Sequence, residues 1–545
     1  MRNNRNDSRG RRSYVIRSGA AFALGHQDAW SYNDRDELTA SQRYDNTTPE
    51  STQDPDTSLN RVYAYDPIGN RSTSTEGTGA QTTYTSNNLN QYDPVVTATS
   101  PQTGQRLKYD LDGNLTEAYV TGDINGDGNV DMSDLGALLA AYGTCEGQQG
   151  YNPNANIVPN DPGPQCVDSA DLGLLLSVYG LQATGAIRAK FTWDAENRLV
   201  GWEPLLFVSG AKKVESKYDY LGRRIEKKVY TYNGSSWSLS ETRRFIWNNW
   251  LLLLELDGDG NVLRKLTWGR DLSGSLEGAG GIGGLLAIQD TNGTPSSDTD
   301  DLRYVYFYDA NGNVGQVIDL AHDPNDPTGA IKAHYEYDAY GKVLVQSGSY
   351  ASANPYRFST KPWDDETGLG YWGYRYYDPR TGRWTSKDPI EERDAENLYE
   401  AVGNDPIDHS DMLGLATCAE LYGPCWKGAW KTYPFTTKKG VTVTVCECDG
   451  AKFILFGGSK KGGVTWPACC GAAFLSCLSR GGSLTSCHEL FNKCRDSVDD
   501  TVIPVTRVMR STVGVGISIF QEVANLLHSA FLTYFRSATH GQGAF

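Results

Sequence analysis

A short unit recurs along this chain and dictates most of what it can fold into. It reads aromatic residue, Asp, two residues, Gly or Asn, then a polar residue. Clear copies are Tyr65-Asp66-Pro67-Ile68-Gly69-Asn70, Tyr109-Asp110-Leu111-Asp112-Gly113-Asn114 and Trp193-Asp194-Ala195-Glu196-Asn197-Arg198. Tyr218-Asp219-Tyr220-Leu221-Gly222-Arg223, Tyr308-Asp309-Ala310-Asn311-Gly312-Asn313 and Tyr337-Asp338-Ala339-Tyr340-Gly341-Lys342 follow, with weaker copies near Tyr32 and Tyr84. Asp at the start of a turn accepts hydrogen bonds from backbone amides two residues on, and Gly three residues later takes a positive φ. Asn is the next-best residue for that conformation. The flanks alternate as strands do, as in Val305-Tyr306-Phe307-Tyr308. One hairpin cannot bury its own face, so neighbouring hairpins must stack. The expected fold class is mainly β: stacked hairpins forming a repeat shell. Residues 1–29 lack a clear copy and are read as an N-terminal segment without fixed structure.

The repeats resemble the YD repeats of Rhs proteins and of Tc-toxin C subunits. A later segment sharpens the resemblance: Tyr356-Arg357-Phe358, Glu366-Thr367-Gly368-Leu369-Gly370-Tyr371, Tyr374-Arg375-Tyr376-Tyr377-Asp378-Pro379, Gly382-Arg383-Trp384, Ser386-Lys387-Asp388-Pro389-Ile390 and Asp411-Met412-Leu413-Gly414-Leu415. This is similar to the Rhs repeat-associated core. The implied organisation is repeats over 30–120 and 181–330, the core over 331–415, and a variable effector domain over 416–545. The resemblance also implies that Asp388 and Asp411 act as an aspartic-protease-like pair cutting after Leu415. Such chemistry needs two close carboxylates sharing a proton. Met412 stands where the family has Pro, a change that removes a backbone constraint beside the cut. The cut would free Ala416–Phe545, 130 residues.

The step from Tyr109 to Trp193 is 84 residues, and removing the 60 residues of 121–180 leaves 24, close to its neighbours. Residues 121–180 therefore read as an insertion at a hairpin tip, where insertions are tolerated. Within it, Asp123, Asn125, Asp127, Asn129, Asp131 and Asp134 fall at positions 1, 3, 5, 7, 9 and 12 of a twelve-residue loop, with Gly128 at position 6. Oxygen groups at that spacing wrap a calcium ion. A helix carrying Leu135, Leu138 and Leu139 follows. With its partial second copy around Val167–Leu172, the insertion resembles a dockerin, a small α-helical calcium-binding module that docks onto cohesin-like partners. The second copy has Pro162, Pro164 and Gln165 at loop positions and is expected to bind calcium weakly or not at all. Cys145 and Cys166 are placed to bridge the copies.

The tail reads as an α+β cysteine-rich domain, holding nine of the eleven cysteines between Cys418 and Cys494. Val441–Cys448 and Ala451–Phe456 alternate as a hairpin about Asp449-Gly450. Cys470 and Cys477 are seven residues apart, as are Cys487 and Cys494, so each pair lies on one helix face. The short Gly481-Gly482 link suggests an antiparallel helical hairpin stapled by Cys477–Cys487 and Cys470–Cys494. Clustered cysteines suggest an oxidising destination, secreted or at the cell surface. The start of the chain does not read as a signal peptide, so another export route or an upstream start is expected. The apolar stretch Val513–Phe535 is interrupted by Gln521, Glu522, Asn525 and His528, and reads as core more than as a membrane-active helix. With 50 Lys and Arg against 66 Asp and Glu, the net charge is −16, which argues against nucleic-acid binding by the shell.

Two function classes follow. One is a carrier that cuts and releases a toxin-like effector, with an immunity protein or a shell-completing chain as partner. The other is a non-catalytic surface or adhesion protein anchored by calcium-dependent docking. A component of polysaccharide degradation is a weaker third, because no carbohydrate-active domain is visible.

Overall fold

The computed structural model describes residues 4–415 apart from short breaks, the longest at 181–187 and 322–328, and beyond them three strands between 431 and 455. The chain divides into two units, Met1–Tyr433 and Pro434–Phe545, each taken by itself below.

Twenty-two of the described strands form one sheet, from Asn4–Asn6 to Val343–Ser347. Every strand pairs antiparallel with the next in sequence, as in Ala29↔Gln42, Ala64↔Thr73 and Phe307↔Gln316. The expectation of a mainly β chain of stacked hairpins is met. Residues 4–29 are a correction to the sequence reading: Asn4–Asn6 and Arg12–Arg17 are the first two strands of this sheet. Asp7 starts a turn of the repeat kind there, but Asn6 replaces the aromatic residue that marks other copies.

The turns repeat one geometry. The Asp66 amide donates to the Asn70 carbonyl at 2.8 Å, and its Oδ1 accepts the amides of Ile68 and Asn70 at 3.0 and 2.9 Å. Asn70 Nδ2 closes onto Asp66 Oδ2 at 2.9 Å. Gly69 has φ +84, and Asn197 fills the same slot with φ +58. The strand register shifts just before the turn, as a three-residue hairpin loop with a glycine bulge requires. Asp309 and Asp257 repeat the pattern, although Leu256 stands before Asp257.

The aromatic residue before the turn has a separate task. Its polar tip donates to the carbonyl of the residue just after the preceding turn. Tyr65 thus bonds Leu38 at 2.8 Å, Tyr218 bonds Leu199 at 2.6 Å and Tyr337 bonds Val314 at 3.0 Å. Trp193 bonds Leu115 at 2.7 Å through its indole N–H, across the insertion. Beside it, Leu115–Tyr119 pairs with Ala189–Trp193 as Glu117↔Lys190 and Ala118↔Ala189. The sheet therefore runs on past the inserted residues.

Residues 356–415 pack against the turns rather than extending the sheet. Four short strands, Trp363–Asp364, Leu369–Tyr371, Tyr376–Asp378 and Arg383–Trp384, form a second sheet. Asp364 is buried, a cost offset by Arg224 at its Oδ1 and Oδ2 and by Lys227 at 2.9 Å. The Tyr399 hydroxyl donates to the Gly113 carbonyl at 2.7 Å, and a Cβ on Gly113 would strike Lys387 and that hydroxyl. Glycine there serves both the positive φ and the close approach of the core segment.

The insertion carries helices α1 (Met132–Ala141) and α2 (Ser169–Ser177), each opened by a reciprocal capping box, Asp131 with Asp134 and Asp168 with Asp171. Leu138 and Leu175 meet in a small core with Val130, Ala155 and Val167. A disulfide joins Cys145 to Cys166. In the second unit, Thr442–Cys448 pairs with Ala451–Leu455 from Cys448↔Ala451 to Thr444↔Leu455. Cys470, Cys477, Cys487, Cys494 and the stretch 513–535 lie outside the described residues. No helix among the described residues is long and apolar enough to cross a membrane.

Candidate functional sites: a carboxylate pair and an acidic loop

Asp388 and Asp411 come together at one buried place, both beside Nη2 of Arg375. Arg375 Nη2 stands 2.7 Å from Asp388 Oδ2 and 3.4 Å from Asp411 Oδ2. All three side chains are buried, Arg375 to 1% exposure. The resemblance implies two carboxylates sharing a proton; the structure sets both beside one guanidinium nitrogen, whose charge offsets theirs. The Trp384 ring centroid lies 4.3 Å from Arg375 Cζ, in a cation–π contact.

The segment that follows is held by its own backbone. Asp411 Oδ1 accepts the amides of Leu413, Gly414 and Leu415 at 3.1, 2.8 and 2.9 Å. Arg375 Nε donates to the Gly414 carbonyl at 2.5 Å, and the Tyr374 amide donates to the Leu413 carbonyl at 3.0 Å. The Leu415 side chain is buried with Ile390 beside Tyr374. Lys361 donates to the carbonyls of Met412 and Gly280. Burial pushes its ammonium down to about 8, against the pull of Asp411 and Asp271. Met412, which lacks the rigidity of proline, thus has its carbonyl gripped by a lysine.

Arg375, Lys361 and Trp372, whose indole donates to the Asp411 carbonyl at 3.1 Å, went unassigned in the sequence. Arg375 had one available signal: a cation inside the aromatic run Tyr374–Tyr377 has to find acidic partners if that run is buried.

In the insertion, carboxylate oxygens of Asp123, Asp127 and Asp134 lie within 4.8 Å of one another. Asp123 is buried to 2% exposure; its Oδ2 accepts the Gly128 amide at 2.9 Å, while Oδ1 is buried with no hydrogen-bond partner. Burial pushes the Asp123 carboxyl up to about 6; the Gly128 amide and Arg188 pull it down and Asp134 adds to the rise. A cation would satisfy both the orphaned oxygen and the convergence of charge. Asn125, Asn129 and Asp131 stand around the loop: Asn125 Oδ1 accepts the Asp127 amide at 2.7 Å, Asp127 Oδ1 accepts the Asn129 amide at 2.8 Å, and Asp131 caps α1. Asp134 Oδ1 accepts the amides of Ile124 and Asn125 at 2.7 and 3.0 Å, which ties the helix to the loop. In the second copy Asp171 Oδ1 accepts the Val158 amide at 2.7 Å. Among the described residues no second cluster of this kind occurs.

No protein-family profile matches the chain. It is 28% identical over 298 residues to tRNA nuclease WapA of Bacillus subtilis (strain 168), covering 47% of this chain and 11% of that protein. It is 31% identical over 234 residues to toxin subunit YenC1 of Yersinia entomophaga, covering 41% of this chain and 22% of that protein. The chain thus spans less than a quarter of either relative. The crystal structure of TcdB2-TccC3 covers 76% of this chain at 19% identity and a TM-score of 0.33, a superposition too loose for any positional argument. The curated relatives of this chain are Rhs- and Tc-toxin-related proteins.

Proposed function

We propose that this protein is a toxin-type carrier whose repeat and core segments hold residues 416–545 and release them by cutting the chain after Leu415. The observation that carries this reading is the seat of Leu415: its amide is fixed on Asp411, and Arg375 stands on both Asp411 and Asp388. In the proposed reaction a carboxylate takes a proton from water as the water oxygen adds to the Leu415 carbonyl carbon. The Leu415–Ala416 C–N bond then breaks, and the proton passes to the departing amine. Arg375 supplies positive charge beside the developing oxyanion, and the amides of 413–415 hold the segment in place for attack. The names of the relatives, a tRNA nuclease and a toxin subunit, support an effector in the tail and a toxin assembly with partner chains, but fix neither its target nor its chemistry. An immunity protein would be the matching partner of such an effector. Intact mass of the purified chain tests the reading: a new species ending at Leu415, absent in Asp411→Asn, is expected. A wild-type chain that keeps full mass for days near neutral pH refutes it and favours the non-catalytic surface protein.

A second role rests on the acidic loop. We propose that the insertion binds one calcium ion at Asp123, Asp127 and Asp134, with Asn125, Asn129 and Asp131 around it, and docks a cohesin-like partner. Support comes from the orphaned Asp123 Oδ1 and from apolar side chains repeated on both helices. Leu139 and Tyr142 at the end of α1 are exposed, and so are Leu176 and Tyr179 at the end of α2. The disulfide between Cys145 and Cys166 supports an oxidising, extracellular setting.

A further inference from the structure

The acidic loop is tied to the sheet that carries it. Arg188, one residue before the strand Ala189–Trp193, reaches back into the loop. Its Nη1 donates to the Gly126 carbonyl at 2.8 Å and stands 3.6 Å from Asp123 Oδ2. The arginine is itself anchored, since its carbonyl accepts the Leu205 amide at 3.0 Å. A Cβ on Gly128 would lie 2.5 Å from Arg188 Nη1, and one on Gly126 would lie 3.3 Å from the Leu205 carbonyl oxygen. Glycine at both places lets the loop sit against the repeat strands.

The two oxygens of Asp123 have different surroundings. Oδ1 is buried without a hydrogen-bond partner, whereas Oδ2 accepts the Gly128 amide and stands 3.6 Å from Arg188. We infer that Arg188 is a counter-ion lent by the repeat sheet, so that calcium in the loop and attachment of the insertion through Arg188 oppose each other. Three carboxylates this close repel one another unless a cation is near. In the metal-free loop that cation is the guanidinium. Calcium held by Asp123, Asp127 and Asp134 would bring two positive charges to a carboxylate that Arg188 already faces, and would satisfy the cluster by itself. Arg188 would then face net repulsion and keep only its bond to the Gly126 carbonyl. Calcium would thereby loosen the insertion from the strand that follows it, a calcium-dependent change in how the docking module is presented.

This inference rests on the calcium reading, and the test separates the two. Calcium alone is titrated calorimetrically into the full chain at low salt, as wild type, Arg188→Ala and Arg188→Lys. Arg188→Ala is expected to bind about tenfold more tightly, about 1.4 kcal/mol, with Arg188→Lys near wild type because it keeps the charge. In parallel, calcium is expected to speed trypsin cleavage after Arg188 of the wild-type chain. Equal or weaker calcium affinity in Arg188→Ala, or trypsin cleavage after Arg188 indifferent to calcium, overturns the inference and leaves the calcium site standing. Calcium binding by none of the three chains overturns the calcium reading itself.

Discussion

Replacing Tyr337 by Phe isolates the bond that links one repeat to the next. The Tyr337 hydroxyl donates to the Val314 carbonyl at 3.0 Å, and Val314 is fully buried. The ring itself packs against Tyr335 and Phe358, with centroids 6.1 and 5.8 Å away. Phe preserves these ring contacts and removes only the donor. A typical hydrogen bond contributes about 1 kcal/mol net, and a buried carbonyl left short of a partner costs about 1–3 kcal/mol. A loss of about 1.5 kcal/mol is therefore expected, and about 3–5 kcal/mol for Tyr337→Ala, which also opens a cavity. The bond joins two successive hairpins, so the loss should be confined to them and to what packs on them, Phe358 and the strands around Leu38 and Tyr63. Hydrogen exchange read peptide by peptide is the fitting assay, since a global midpoint would dilute the effect. In Tyr337→Phe, amides of 302–319 and 331–347 should exchange about tenfold faster. Those of 189–232 should not change. A uniform acceleration across the sheet, or none above about twofold at 302–347, would refute the idea that the tyrosine is a link between neighbouring repeats.

Three further outcomes are expected. Arg375→Met should abolish the cut after Leu415 in an intact-mass assay, as should Asp388→Asn; continued cutting would remove Arg375 from the chemistry. Asp134→Ala should eliminate calcium binding by calorimetry and cost the insertion about 1–2 kcal/mol, because it removes one half of the capping box and the bonds to the Ile124 and Asn125 amides, while a chain that binds two equivalent calcium ions would contradict the one-loop reading. Burial would raise the Glu336 carboxyl, but His334, Arg43 and His26 outweigh it and bring it down to about 2. Its folded value lies below the unfolded one, so its stabilisation is present above about pH 4.5 and is lost as pH falls toward 2. The shift corresponds to about 3 kcal/mol, and Glu336→Gln should narrow the gap in melting temperature between pH 5 and pH 2.5.

The repeats were legible because their information is local. Asp66, Gly69 and Asn70 build their turn from contiguous residues, and the tolerance of Asn197 for positive φ could be stated before any coordinates. The insertion was legible for a related reason, since it interrupts a period and Glu117 still pairs with Lys190 across it. Before Asp7 and Asp257, Asn6 and Leu256 stand where the aromatic residue belongs, so the motif does not show there in the sequence. Both turns close all the same, which separates the two halves of the motif: the Asp and Gly make the turn, and the aromatic residue makes the link to the preceding repeat. The division could not be read from the sequence, because the acceptor of that link is a backbone carbonyl with no side-chain identity.

The carboxylate site shows the opposite case. Asp388 and Asp411 were picked out by resemblance, but their neighbour Arg375 sits in an aromatic run where spacing carries no hint of a partner. Its partners are chosen by how residues 356–415 settle on the turns, for instance through Tyr399 on Gly113 and Asn404 on the Gly69 carbonyl. A buried arginine with two acids is costly to leave half-paired. Removing either aspartate therefore changes the charge felt by the other as well as deleting a carboxylate. Asp388→Asn and Asp411→Asn consequently cannot by themselves distinguish a proton-transfer role from a role in seating Arg375. Arg375→Lys makes that distinction: it retains the charge beside the aspartates but forfeits the bond from Nε to the Gly414 carbonyl. Cutting that survives in Arg375→Lys at reduced rate would assign the arginine to charge, and cutting abolished there as fully as in Arg375→Met would assign it to holding the chain at Gly414.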